Sequence, residues 1–109
     1  MNKNLLPKDL EIISNSLKDD KALNLKIINV SNKTSLTDYI IITTGTSKRH
    51  ILTMAKNLRE KIKKKLKYTP TLEGVEKAEW VLIDANSAII NIFKSETREF
   101  YDLEKIWSN

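Results

Sequence analysis

The 109-residue sequence has no cysteine, a single histidine (His50), two glycines, two prolines and only seven aromatic side chains. Without cysteine there are no disulfides, thiolate nucleophiles or thiolate zinc sites. A zinc centre would have to be assembled almost wholly from carboxylates around one imidazole, a ligand set that zinc rarely uses. No apolar run approaches the ~20 residues that span a bilayer, so no membrane partner is expected. The first twenty residues, "MNKNLLPKDLEIISNSLKDD", lack an apolar h-region and carry Asp9, Glu11, Asp19 and Asp20. They resemble neither a signal peptide nor an arginine-rich transit peptide, and the expected location is the cytoplasm.

Hydrophobic residues make up 40% of the chain and charged residues 30%, the mixture of a globular protein. The length suits one domain, residues 1–109, that buries roughly 65% of its unfolded surface. The formal charge of +5 comes from sixteen Lys and three Arg against fourteen acids. Together with abundant Ile and Asn, such a bias is what an AT-rich genome produces by mutation, so part of it carries no functional message. A basic chain still favours polyanionic surroundings such as nucleic acid or a ribosome.

Pro7 followed by Leu10, Ile13 and Leu17 predicts a first helix over residues 7–20. "NLKIINV" reads as a strand, "SNKTSLTD" as the connection after it, and "YIIITT" (39–44) as a strand buried on both faces, because it lacks alternation. Gly45 ends that strand, and Thr46 or Ser47 can cap the next helix. From Lys48 to Leu66, Ile51, Met54, Ala55, Leu58, Ile62 and Leu66 recur at three and four, the pattern of a long amphipathic helix. "TPTLEG" is a short edge strand, and "WVLID" and "AIINIF" form a hairpin about Asn86 and Ser87. The last segment, with Thr97 as cap and Phe100, Leu103 and Trp107 at i, i+3 and i+7, reads as one short helix. The order αββαβββα predicts an α/β (α+β) fold with a mixed five-stranded sheet and packed helices.

Few motifs carry chemistry. "TTGTSKRH" is strand, glycine, hydroxyls and helix, an arrangement that can hold an anion, but the Walker and Rossmann glycine spacings are absent and capping explains the hydroxyls. The same unit opens the nucleotidyltransferase fold, whose metal pair needs two or three carboxylates on neighbouring strands. Only Asp84 is available, with no Asp-x-Asp pair. His50 has no nucleophile beside it and reads as a surface or partner contact, not a general base. Asp19/Asp20 and Glu76/Glu79 read as solvated faces. "KIKKKLK" (61–67) could follow a phosphate backbone, yet lysines at a helix C-terminus also balance its dipole, and no stacking aromatic except Tyr68 accompanies them. The dipole reading outweighs RNA binding.

"REFYDLEKIW" (98–107) holds three of the seven aromatics. Phe100, Leu103 and Trp107 form one stripe that can close over a sheet, whereas Tyr101 lies about 100° away from Phe100 on a helix. An aromatic left beside Arg98, Asp102 and Glu104 has the composition of a protein-interface hot spot.

Taken together and in register, "SLTDYIIITTGTSKRHI", "LEGVEKAEWVLID" and "REFYDLEKIW" resemble the ribosomal silencing factor (RsfS, or Iojap) family from about Leu25 to Trp107. The resemblance implies a nucleotidyltransferase-like fold without the catalytic carboxylates, no enzymatic activity and no cofactor. It implies binding to ribosomal protein fourteen of the large subunit, which blocks joining of the small subunit and represses translation when nutrients are scarce. Free members are often homodimers, and organellar relatives assist large-subunit assembly. By motif, the contact residues are Asp38, Tyr39, Ser47, Arg49, His50, Trp80, Asp84, Arg98, Tyr101 and Asp102, with Arg49 and Arg98 making charge-assisted hydrogen bonds. The chain departs from the family pattern at Asn86 and Ser87, where a Gly and an acid are usual, and at Asn91, where histidine is common. Two other functions can be argued from the residues alone: an RNA-binding assembly factor acting through the basic helix, and a nucleotidyltransferase enzyme with nucleotide near Gly45 and Asp84.

Overall fold

The computed structural model describes residues 7–108; the first six residues of the N-terminal stretch considered for targeting, and Asn109, lie outside them. Helix α1 (Lys8–Asp19) starts after Pro7, whose fixed φ suits a helix entry, with Asp9 and Glu11 in its first turn facing the positive dipole end. Leu10, Ile13 and Leu17 are fully buried along one side. Strands β1 (Leu23–Asn29) and β2 (Tyr39–Gly45) pair antiparallel, with a register shift between Leu23 and Lys26 where Asn24 adopts φ 49°. Helix α2 (Lys48–Leu66) comes next, capped by the Ser47 hydroxyl accepting from the His50 N–H and stopped by Lys67 in the left-handed region. Strands β3 (Thr71–Glu73), β4 (Trp80–Ala85) and β5 (Ala88–Lys94) complete a sheet of order β1-β2-β5-β4-β3, in which only β2 and β5 run parallel.

The central pair explains the unalternating sequence of β2, which is buried from Ile40 to Gly45. Strand β3 lies at the sheet edge, as Pro70 requires. Asn86 makes the turn of the β4–β5 hairpin at φ 48°, a conformation that asparagine tolerates. Gly74 has φ 84°, and a Cβ there would stand 2.2 Å from the Trp80 carbonyl oxygen, so this turn admits only glycine.

Helices α1 and α2 cover one face of the sheet. Ile41, Val81, Ile83, Ala85, Ala88, Ile90 and Ile92 meet Leu10, Ile13, Leu17, Ile51, Met54, Leu58 and Ile62 in one continuous core. The alternate residues of the same strands face the other way: Ile28, Ile40, Ile42, Ile89, Phe93 and Trp80 form a second cluster with Val30, Leu103 and Trp107.

The terminal segment differs from the single helix expected of it. It is broken into α3 (Ser95–Tyr101) and α4 (Leu103–Trp107) by Asp102 at φ 49°, giving the order αββαβββαα. The break turns the chain, so Leu103 and Trp107 reach the second cluster while Phe100 stays on the outer side, 80% exposed. Phe100 therefore does not share the packed stripe. Thr97 lies inside α3, whose start at Lys94 has no side-chain cap.

Candidate functional site

Strand register brings the aromatic residues together. Trp80 on β4 stands opposite Phe93 on β5, and Phe93 stands beside Thr44 on β2, all at one end of the half-covered face. The Trp80 and Phe93 rings stack with centroids 4.9 Å apart and planes at 29°. Tyr101, from α3, leans on Trp80 at 4.9 Å and 46°, and Phe100 meets Tyr101 edge-on at 5.0 Å and 89°. These are the offset and edge-to-face arrangements that ring quadrupoles prefer. The row ends in solvent, with Tyr101 49% and Phe100 80% exposed.

Two polar devices hold this row. The Trp80 indole N–H donates to Asn91 Oδ1 at 2.9 Å, and the Asn91 amide donates to the Ile41 carbonyl at 3.2 Å. Asn91 is buried, and both halves of its amide are used, so the indole orientation is fixed from inside the sheet. Arg98 performs the second task. Its Nη1 donates to Thr44 Oγ1 at 2.9 Å, while Nε and Nη2 donate to the two carboxylate oxygens of Glu104 at 3.2 and 2.9 Å. That fork spans the break at Asp102 and ties α3 to both β2 and α4. The hydrogen bonds from Arg98 hold the Glu104 carboxyl below its usual range; partial burial opposes this, and the charges of Arg98 and Lys26 add to the lowering.

The surface beside the aromatic row is shaped. Leu82 and Asp84 continue the outward side of β4, with Leu82 half-buried and Asp84 exposed. Glu73, Gly74, Trp80 and Leu82 line a depression of about 270 Å³, large enough for one partner side chain. Glu99 and Asp102 are exposed near the other side of Tyr101.

Of the residues expected at a contact surface, the structure groups Trp80, Arg98, Tyr101 and Asp102, with Asp84 further along β4. Arg98 is turned inward, with 11% of its side chain exposed, so its charge is spent on Glu104 instead of being offered outward. Tyr39 packs against the helix-side core, and Asp38 is exposed beside the β4–β5 hairpin, where its N–H and that of Tyr39 both donate to the Ser87 carbonyl. Arg49 is exposed on the first turn of α2. His50 clasps two elements: its Nδ1 accepts from the Thr46 N–H at 2.9 Å, and its Nε2 donates to the Asp20 carbonyl at 2.7 Å, joining the end of α1 to the start of α2. Thr46 and Ser47 thereby use in capping the groups that would otherwise face an anion, and a Cβ at Gly45 would strike Ile51 at 2.6 Å. Among the described residues no three His, Asp or Glu side chains converge as a metal site.

Sequence reasoning missed Phe93, Thr44 and Glu104 as supports, and saw Asn91 only as a departure. The signal for Asn91 was present: an amide inside the apolar run "AIINIF" must find partners when the strand is buried.

One face of the sheet is thus sealed by α1 and α2, and the other is half-covered and carries the aromatic row. Residues 4–109 match the family described as "Ribosomal silencing factor during starvation", and the chain belongs to that family. It is 41% identical over 98 residues to the ribosomal silencing factor RsfS of Zymomonas mobilis, covering 90% of this chain and 74% of that protein. To the RsfS of Haemophilus influenzae it is 37% identical over 99 residues, covering 91% and 97%. It is also similar to the mouse protein named for mitochondrial assembly of the ribosomal large subunit, at 33% identity over 92% of this chain and 45% of that one. A crystal structure of a Chromobacterium violaceum protein superimposes with a TM-score of 0.89 at 28% identity, covering 94% of this chain and 85% of that one.

Proposed function

We propose that this chain is a non-enzymatic ribosomal silencing factor of the cytoplasm that docks on ribosomal protein fourteen of the large subunit and excludes the small subunit sterically. Its effect is to repress translation when nutrients are limiting. The observation that carries this reading is the aromatic row of Trp80, Tyr101 and Phe100, held rigid from beneath and left open above, in a member of this family. Preordered rings with desolvatable area lower the entropic cost of docking, the property of interface hot spots. Glu73, Glu99 and Asp102 supply exposed acidic groups on this side for a basic ribosomal protein. When no ribosome is present the chain pairs as a homodimer, as exposed aromatic surface favours.

The test is co-sedimentation of the purified protein with separated subunits, with subunit joining followed by light scattering. Association with the large subunit alone, loss of joining, and loss of both on Tyr101→Ala are expected. Binding that survives Tyr101→Ala and Trp80→Ala unchanged would place the contact elsewhere.

A further inference from the structure

The charge of the molecule is segregated. Helix α2 carries eight cations and one acid, while the other ninety residues carry eleven cations and thirteen acids. A surplus of lysine arising from base composition would be spread over the surface; here it is gathered on one element, and without that element the chain is slightly acidic. The helix dipole accounts for Lys63, Lys64 and Lys65 in the last turn. It cannot account for Lys48 and Arg49, which stand in the first turn, where cations face the positive end and no acid accompanies them. Of the eight cations, among the described residues, only Arg59 and Lys61 lie within 4.0 Å of a carboxylate, at 4.0 Å from Glu60 and 3.9 Å from Asp19. Neither intramolecular pairing nor the helix dipole accounts for Lys48, Arg49 and Lys56.

At about 100° per residue, Lys48, Arg49, Lys56, Arg59 and Lys63 fall within an arc of about 100° and extend over about 22 Å of helix. Lys48, Arg49, Leu52, Thr53 and Lys56 line a shallow depression of about 480 Å³ with Leu52 at its floor. We propose that this outer side of α2 is a second interaction surface that lies along the phosphate backbone of an RNA duplex without reading its sequence. A band of cations along one side of a helix neutralises backbone phosphates and releases counterions. No Phe, Tyr or Trp lies on α2, and the His50 ring is held by Thr46 and Asp20, so stacking with the bases of single strands has no platform. An anionic membrane is disfavoured because Ile51, Met54, Ala55, Leu58 and Ile62 are already buried in the core and cannot enter a bilayer. The stripe lies on the opposite side of the sheet from Trp80 and Tyr101, so both surfaces can be occupied at once, and the proposal stands independently of how the aromatic face is read.

The experiment measures binding of the full chain to two fluorescent RNA duplexes of about 20 base pairs and unrelated sequence, over a series of salt concentrations. Equal affinity for both and a linear fall of log affinity with log salt are expected. The triple variant Lys48→Gln/Lys56→Gln/Lys63→Gln should weaken binding at least tenfold and reduce the salt slope by about 2 to 3, at about 0.9 per phosphate contact. These side chains make no contact in the core, so its melting temperature should stay that of the parent. Tyr101→Ala should bind RNA normally; loss there would move the RNA site to the aromatic face and overturn the proposal. No binding at low salt, undiminished binding by the triple variant, or equal affinity for polyglutamate or anionic vesicles would overturn it as well.

Discussion

The two faces of the sheet are built from alternate residues of the same strands and end in different states. On one face Val81, Ile83, Ile90 and Ile92 are fully buried under α1 and α2; on the other Trp80, Leu82 and Ile89 remain partly open. The difference is one of reach. Helix α2, with 19 residues, spans about 28 Å, more than the ~20 Å width of five strands, whereas the five residues of α4 span about 7.5 Å. Neither α3 nor α4 has a buried residue. A face covered by two such short pieces cannot be sealed, and the part left over coincides with the aromatic row. The sealed face supplies stability, and the open one supplies a surface that is rigid because its back is packed.

That division predicts where truncation costs folding and where it costs binding. The largest effect belongs to the sealed face: Leu58→Ala should destabilise by about 2–5 kcal/mol, measured by urea unfolding, because the surrounding core collapses only partly into the space. Tyr101→Ala comes next and divides the faces in the opposite way. Large-subunit binding should weaken by about 2 kcal/mol, roughly 30-fold, while stability falls by about 1 kcal/mol or less. If the melting temperature drops sharply and binding persists, the open face is a core after all.

Asn91→Leu tests the link between the faces. Its side chain is of similar size but leaves the Trp80 indole N–H without its acceptor and removes the amide donor from the Ile41 carbonyl, at a cost of about 1–3 kcal/mol. The Trp80 indole proton resonance should shift and broaden as the ring loses its anchor. An unchanged resonance would mean that stacking on Phe93 alone orients the indole.

The helix-side architecture was legible in the sequence because its signals are local and periodic. The bounds of α2, the unalternating β2, the edge position before Gly74 and the Asn86 turn all derive from residue spacing and turn chemistry. The tail was not legible in the same way. Its helical spacing continues through Asp102, and nothing local requires that residue to adopt φ 49°. The force that favours the break is tertiary: Arg98 can reach Thr44 and Glu104 together only if α4 folds back toward the sheet. The same distinction explains His50 and Arg98. Their chemistry invited a partner, but each finds its hydrogen bonds inside the molecule, with residues 30 and 54 positions away in sequence.

The smallest predicted effect concerns that fork and has a definite sign in pH. The Glu104 carboxyl is held below its unfolded value chiefly by hydrogen bonds from Arg98. A group whose folded pKa is depressed contributes stability that is fully present above its unfolded pKa and is lost as pH falls through the folded one. The docking of α4 should therefore be complete at neutral pH and weaken below about pH 4, the ordinary carboxylate range. Trp107 reports on this directly, because it packs on the second cluster and its carbonyl accepts from Lys33. Amide protection, relative to the intrinsic exchange rate at each pH, should fall in residues 103–108 in acid ahead of β2 and β5, and Glu104→Gln should show the lower protection already at neutral pH with no further acid step in this segment. Equal protection of α4 in the parent and in Glu104→Gln at every pH would mean that Leu103 and Trp107 hold the helix by packing alone, and that the fork serves only to position Arg98.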